Sequence, residues 1–342
     1  VQLAASSGTV SSAESSRPVF VARESELAQL GEHLRLALDG HGRVLFVTGE
    51  AGQGKTELIQ AFAQWVEATC PELVVASGCC NAYTGIGDPY LPLREILEML
   101  MGDVDAKLAA EIVSREQKRR LRRTFPRAVK ALVTTGPDLI GVLVPGAALE
   151  RRAIDCELDG QDWVHRLREL VARKAAAPGT SNLRQDDLFE QYTAVLSLLA
   201  RQVPLLLILD DLQWADLGSI SLLFHLGRRL EGSPILVVGV YRSEDLALGR
   251  DGERHPLAPV VNEFKRAWGD IEVDLGQAEG QSFVHALLDS EPNQLDSAFR
   301  QMLHRQTNGH PLFTVELVRG MQERGDLIQD PEGRWVEGPA LN

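Results

Sequence analysis

The feature that most constrains this chain is the run Gly49-Glu50-Ala51-Gly52-Gln53-Gly54-Lys55-Thr56, which fits G-x-x-x-x-G-K-[ST]. Upstream, Val44-Leu45-Phe46-Val47-Thr48 is a short apolar run suited to a buried parallel strand. Downstream, 56–69 has helical spacing, with Leu58, Ile59, Phe62, Trp65 and Val66 on one face. Strand, glycine loop, helix is the order that phosphate binding requires.

Each residue type has a physical reason to be there. Gly49, Gly52 and Gly54 permit backbone angles and close approach that a side chain would block. The N–H groups of Gly52, Gly54, Lys55 and Thr56 point into the loop at the positive end of the following helix. Gln53 and Glu57 complete the set of nucleotide-binding candidates on this segment. Lys55 is expected to reach the β- and γ-phosphates, and the Thr56 hydroxyl to ligate Mg²⁺, with ATP or ADP as the nucleotide. A chance glycine turn with a surface lysine is the alternative, and the flanking strand and helix argue against it.

Composition narrows the class. The 342 residues are 44% hydrophobic and 24% charged, an ordinary globular balance with enough length for a sizeable core. A net charge of -13 disfavours broad binding to nucleic acid or to a membrane surface. No apolar run approaches a spanning length and no secretory signal is recognisable. Cys70, Cys79, Cys80 and Cys156 show no C-x-x-C spacing, which suggests a reduced, cytoplasmic protein without structural zinc. The chain begins with Val1 and is read as a fragment.

Residues 1–17 are rich in Ser and Ala and are expected to form a disordered leader. An amphipathic helix follows, with Leu27, Leu30, Leu34 and Leu38 as its stripe. Strand-like runs at 45–47, 73–77, 205–209, 235–240 and 271–275 alternate with helices, the pattern of a five-stranded parallel sheet covered by helices. The expected core spans 18–276. A helical insert occupies about 81–187, with helices at 92–101, 105–113, 117–132 and 162–177. Residues 277–329 read as a helical lid with helices at 280–288, 295–306 and 312–324, and 330–342 as the opening of a further domain cut short.

A second chemical element is Leu205-Leu206-Leu207-Ile208-Leu209-Asp210-Asp211, a buried strand that delivers carboxylates to the phosphate site. Asp210 is the candidate for the Mg²⁺ shell and Asp211 for polarising the attacking water. Asp216 precedes an apolar-periodic run and is either a helix cap or a nucleotide contact, while Trp214 reads as packing. Arg242 ends the fourth strand, where it either senses the γ-phosphate or forms a surface ion pair.

Four motifs in order carry a resemblance: Phe20-Val21-Ala22-Arg23-Glu24-Ser25-Glu26-Leu27, the glycine loop, Leu209-Asp210-Asp211-Leu212-Gln213-Trp214-Ala215-Asp216, and Gly309-His310-Pro311-Leu312-Phe313. Together the chain resembles a STAND-class signalling ATPase, the AAA+-related group of P-loop NTPases found in large bacterial transcription activators and in innate-immune receptors. The resemblance implies that Val21 and Arg23 lie near the adenine, with Ala22 where the family usually has glycine. It implies that Pro311 contacts base or ribose from the lid, although a proline at a helix's first turn needs no ligand. It further implies a slow ATPase that rests with ADP, exchanges for ATP, and forms a homo-oligomer that drives effector or sensor domains outside this chain.

A turnover motor, such as an AAA+ remodeller or a DNA-associated ATPase, is the other class, and no substrate-gripping loop signature supports it. The basic run Arg115, Lys118, Arg119, Arg120, Arg122, Arg123, Arg127 and Lys130 reads as a solvated helix face, with nucleic acid or a subunit interface as alternatives. His285, His304 and His310 are scattered and do not suggest a metal site.

Overall fold

The computed structural model describes residues 21–82, 89–110, 113–156, 162–176, 184–248, 254–277 and 280–339. The expected leader, 1–17, lies outside them, as does Phe20. Strands β1 (Arg43–Thr48), β2 (Val74–Cys79), β3 (Leu205–Asp210), β4 (Ile235–Tyr241) and β5 (Glu272–Asp274) form one parallel sheet in the order β2-β3-β4-β1-β5. These are the five runs read from the sequence. Consecutive residues are buried along β1, from Val44 to Val47, and along β4, from Ile235 to Val238. A half-exposed sheet would alternate, so both faces are covered.

The covering helices are α1 (Glu24–Leu38), α2 (Lys55–Thr69), α3 (Leu91–Leu100), α4 (Asp105–Ala109), α5 (Arg115–Thr135), α6 (Gly146–Asp155), α7 (Asp162–Ala176), α8 (Gln185–Ala200), α9 (Leu217–Gly227), α10 (Ser243–Leu248) and α11 (Leu257–Trp268). Helices α3 to α7 lie within the expected insert, and α8, which begins at its end, carries the chain on to β3. Helix α6 has no counterpart among the expected helices: it opens on small residues and buries only Leu149 and Ala153, a weak periodic signal. Helix α4 ends at Ala109, short of the 105–113 expected.

Two stripe positions also differ from expectation. In α1 the buried register is Leu30, Leu34 and Ala37, and the 3.6-residue repeat carries Leu38 off the face to 38% exposure. Trp65 on α2 is 44% exposed; its ring stacks on Phe62 at 6.0 Å and lies against Gly31 of α1. It bridges two helices from outside rather than filling the core.

After β5 the chain turns helical, with α12 (Gly280–Asp289), α13 (Ser297–Thr307) and α14 (Pro311–Arg324). They enclose a second hydrophobic cluster of Val284, Leu288, Leu295, Phe299, Leu303, Met321 and Leu327. A hairpin of β6 (Leu327–Gln329) and β7 (Trp335–Glu337) closes it, with Trp335 packed on the cluster. The Asp330 carboxylate accepts the N–H groups of Glu332 and Arg334 and sets the turn, where Gly333 takes φ 77°. The boundary expected at 330 therefore falls inside a hairpin that packs on the lid. Among the described residues no helix is long and apolar enough to cross a membrane.

Candidate functional site

Parallel strands release their following segments at one edge of the sheet, where a crevice opens if neighbouring connections diverge. Here β4 pairs with both β1 and β3, with Thr48 opposite Tyr241 and Leu209 opposite Gly239. The glycine loop, the Asp210-Asp211 pair and Arg242 therefore leave the sheet side by side.

The loop has the backbone its glycines allow. Gly52 and Gly54 take φ 76° and 87°, and Gly54 begins α2. The Lys55 ammonium is buried and folds back over the loop, donating to Gly49 O at 2.9 Å and Glu50 O at 2.7 Å. Burial and then the nearby Arg242 charge push its pKa below the usual lysine value, while Asp211 and Asp210 pull the other way. Thr56 and Glu57 are exposed in the first turn of α2, and Gln53 braces the loop through its side-chain oxygen on the Glu50 N–H at 2.8 Å.

At the acidic end, burial and then the adjacent Asp211 charge push the Asp210 carboxyl above the ordinary range. Asp210 also accepts the Asp211 N–H at 2.8 Å. Asp211 sits in the left-handed region at φ 54°. The acidic pair and the exposed Thr56 hydroxyl are oxygen ligands of the kind a hard cation prefers, its shell completed by phosphate and water. Among the described residues no group of three or more His, Cys, Asp or Glu could hold a metal unaided. Thr56 and Asp210 are the candidate side chains for Mg²⁺ beside a bound nucleotide. Arg242 is half-buried, forms no ion pair among the described residues, and is close enough to act on both Lys55 and Asp210 through space.

Arg23 is turned inward. Its guanidinium pairs with Glu26 at 2.6 Å and donates to Gln53 O at 3.0 Å and Leu275 O at 3.4 Å, so it ties α1 to the glycine loop and to the end of β5. Burial works against the Glu26 charge, but hydrogen bonds from Ser25 and Arg23 hold its carboxyl below the usual range. Ala22 takes φ 55°, the conformation a glycine would adopt without strain, and Val21 beside it is half-buried.

The lid meets this loop directly. His310 Nε2 lies 3.0 Å from Ala51 O, and the Leu312 N–H donates to Gly52 O at 3.2 Å. A Cβ on Gly52 would come within 2.8 Å of both His310 and Leu312, so the lid rests where that glycine leaves space. Pro311 is half-buried at the first position of α14, where a missing N–H costs nothing. Gly309, at φ 68°, lets this turn press against Gly280 of α12: a Cβ there would lie 2.4 Å from its backbone.

Other sequence candidates resolve as structure. Asp216 caps α9 by accepting the Ser219 N–H at 3.0 Å, and also accepts the Tyr90 N–H at 3.2 Å. Within the basic run Arg120 is not solvated: it is buried and donates to Cys70 O and Leu73 O beyond the end of α2. Arg115, Arg119, Arg122, Arg123, Arg127 and Lys130 are exposed. The cysteines are all free. Sequence reasoning missed Gln213 as a site residue; it is buried and touches both Asp211 and Arg242. Its signal is its place two residues after the acidic pair, without any periodic pattern.

A protein-family model described as "AAA ATPase domain" matches residues 19–238. No curated protein matches the chain. Among solved structures it is similar to the Orc1 protein of Aeropyrum pernix, solved in complex with DNA, at 17% identity and TM-score 0.42, covering 91% of this chain and 62% of that one. It is similar to the Walker-type ATPase PABY2304 of Pyrococcus abyssi at 12% identity and TM-score 0.39, covering 89% and 69%. For PCH-2 of C. elegans the values are 11% and 0.31, covering 81% and 51%. The chain spans 62% of the length of the Orc1 chain.

Proposed function

The chain belongs to the AAA ATPase domain family, which covers residues 19–238, and from that premise we propose that it is a STAND-like signalling switch. In this reading it binds Mg-ATP or ADP at the glycine loop, hydrolyses ATP slowly to ADP and phosphate, and converts nucleotide state into lid position and homo-oligomer assembly. The observation that carries the reading is the seating of α14 on the loop, His310 on Ala51 O and Leu312 on Gly52 O. A ligand shifts a two-state element only if it binds the two states differently. Phosphates held by this loop lie against the segment that also holds the lid, so ADP and ATP have the means to differ.

Lys55 and Arg242 supply positive charge along the phosphates, and Asp211 orients and polarises the attacking water. Bound Mg²⁺ neutralises charge on the phosphate oxygens. A region of 18–276 as nucleotide-binding core and 277–329 as lid fits this division of labour. The exposed basic face of α5 favours a second reading, a DNA-associated ATPase with rapid turnover. A gel shift with duplex DNA separates the two, since strong salt-sensitive binding supports the second. The first reading is tested by heat-denaturing the purified protein and identifying the released nucleotide by chromatography. Near-stoichiometric ADP supports a closed resting switch; an empty protein favours fast exchange and turnover.

A further inference from the structure

Gln213 is 2% exposed, and both ends of its amide are used. Its Nε2 donates to Asp211 Oδ1 at 2.6 Å, and its Oε1 accepts the Arg242 N–H at 3.3 Å. The main chain around it is fixed as well. A short 3-10 turn, Leu212–Trp214, starts at Asp211 and swings Gln213 back beneath the carboxylate. Leu212 fits against β4 because Gly239 has no Cβ, which would sit 2.6 Å from it. The Leu257 N–H donates to His255 Nδ1 at 3.2 Å, so that nitrogen is unprotonated and Nε2–H donates to Gln213 O at 3.1 Å.

From this geometry we infer that Gln213 is a positioning residue for hydrolysis, one that fixes the Asp211 carboxylate and couples it to the strand end carrying Arg242. Asp211 Oδ2 has no hydrogen-bond partner among the described residues, so holding Oδ1 leaves the other oxygen to address water. The left-handed backbone of Asp211 makes this support necessary, because a short side chain in a strained turn has other rotamers within reach. The inference rests on the ATPase reading above. Gln213 acts only through Asp211 and Arg242 and touches no phosphate position itself.

The test is a mutant cycle on ATP hydrolysis, with nucleotide affinity and thermal melting measured alongside. Gln213→Ala is expected to lower kcat about tenfold to a hundredfold, no more than the roughly 10²- to 10⁴-fold that a general base contributes, with nucleotide Kd changed less than about twofold. Combined with Asp211→Asn it is expected to slow turnover no further than Asp211→Asn alone, because both remove one function. Gln213→Glu keeps the size and the acceptor for Arg242 but loses the donor to Asp211 while ionised. Its rate relative to wild type is expected to rise as the pH falls and the glutamic acid regains a proton to donate. That variant keeps the idea testable if Gln213→Ala melts too low to assay. Full multiplication of the two single effects in the double variant, or a wild-type pH profile for Gln213→Glu, overturns the inference while leaving the ATPase reading intact. Wild-type turnover that survives Lys55→Ala undiminished overturns the ATPase reading and the inference with it.

Discussion

The strands that carry the candidate site and the lid that touches it are held in different ways. Strands β1 and β4 are buried on both faces, within one continuous core running from Leu30 to Leu275. The lid encloses its own smaller cluster, and it meets the glycine loop through two hydrogen bonds and through Leu312, which stays 49% exposed. Phe313 beside it is 60% exposed, its ring tilted against the His310 ring at 4.6 Å. Two hydrogen bonds contribute about 2 kcal/mol, which a roughly 30-fold difference in nucleotide affinity offsets. The core is held by burial on both faces and the lid contact by little, which is what the proposed switch requires. His310 Nδ1 is buried and has no hydrogen-bond partner among the described residues, a cost set against this contact.

The contrast can be broken first at its rigid side. Lys55→Ala is expected to weaken nucleotide binding by about a hundredfold or more, since it removes the loop's buried cation, while the fold survives. Unchanged affinity in a fluorescence titration places the nucleotide elsewhere. Asp211→Asn is next: binding stays near wild type while turnover falls about a hundredfold. A variant that cleaves ATP at the normal rate removes Asp211 from the chemistry.

The weak side gives smaller effects. His310→Ala deletes one lid hydrogen bond and is expected to speed nucleotide release about fivefold, read by stopped-flow displacement. No change in release rate means that the lid contact does not gate the loop. The smallest effect is on stability. Asp210 has a folded pKa above its unfolded value, so its protonated form contributes stability that is complete below the ordinary carboxylate range and lost as the pH rises through the raised value. Asp210→Asn is therefore expected to raise the neutral-pH melting temperature of the nucleotide-free protein by about 2 °C and to flatten its acid-side pH dependence. A lowered melting temperature contradicts the burial argument.

Much of the core is legible in the sequence because its signals are local. A buried parallel strand is an unbroken apolar run, and the glycine loop has fixed spacing, so residue order alone places Lys55, Asp210, Asp211 and Arg242 on one edge of a sheet. What stays hidden depends on contacts distant in sequence. The resemblance implies that Arg23 lies near the adenine, but only the structure shows its guanidinium reaching Gln53 O and Leu275 O, thirty and more positions away. Arg120 reads as one more surface charge until the end of α2 is seen to need its donors. Ala22 is legible as a departure from the family pattern, and its φ of 55° gives the departure a physical meaning. Gln213 and His310 each lie inside a quoted motif, but nothing in the spacing says that one holds Asp211 and the other reaches Ala51 O. The β6–β7 hairpin does have a signal, Asp330-Pro331-Glu332-Gly333 between apolar pairs, but strands of three residues are too short for alternation to mark them.

The most direct measurement is amide hydrogen exchange across 307–318, the start of α14, with ADP, with a non-hydrolysable ATP analogue and without nucleotide. A switch predicts stronger protection with ADP than with the ATP analogue, because only one nucleotide favours the seated lid. Identical exchange in the two nucleotide states contradicts the account, since a lid indifferent to the γ-phosphate reports nothing.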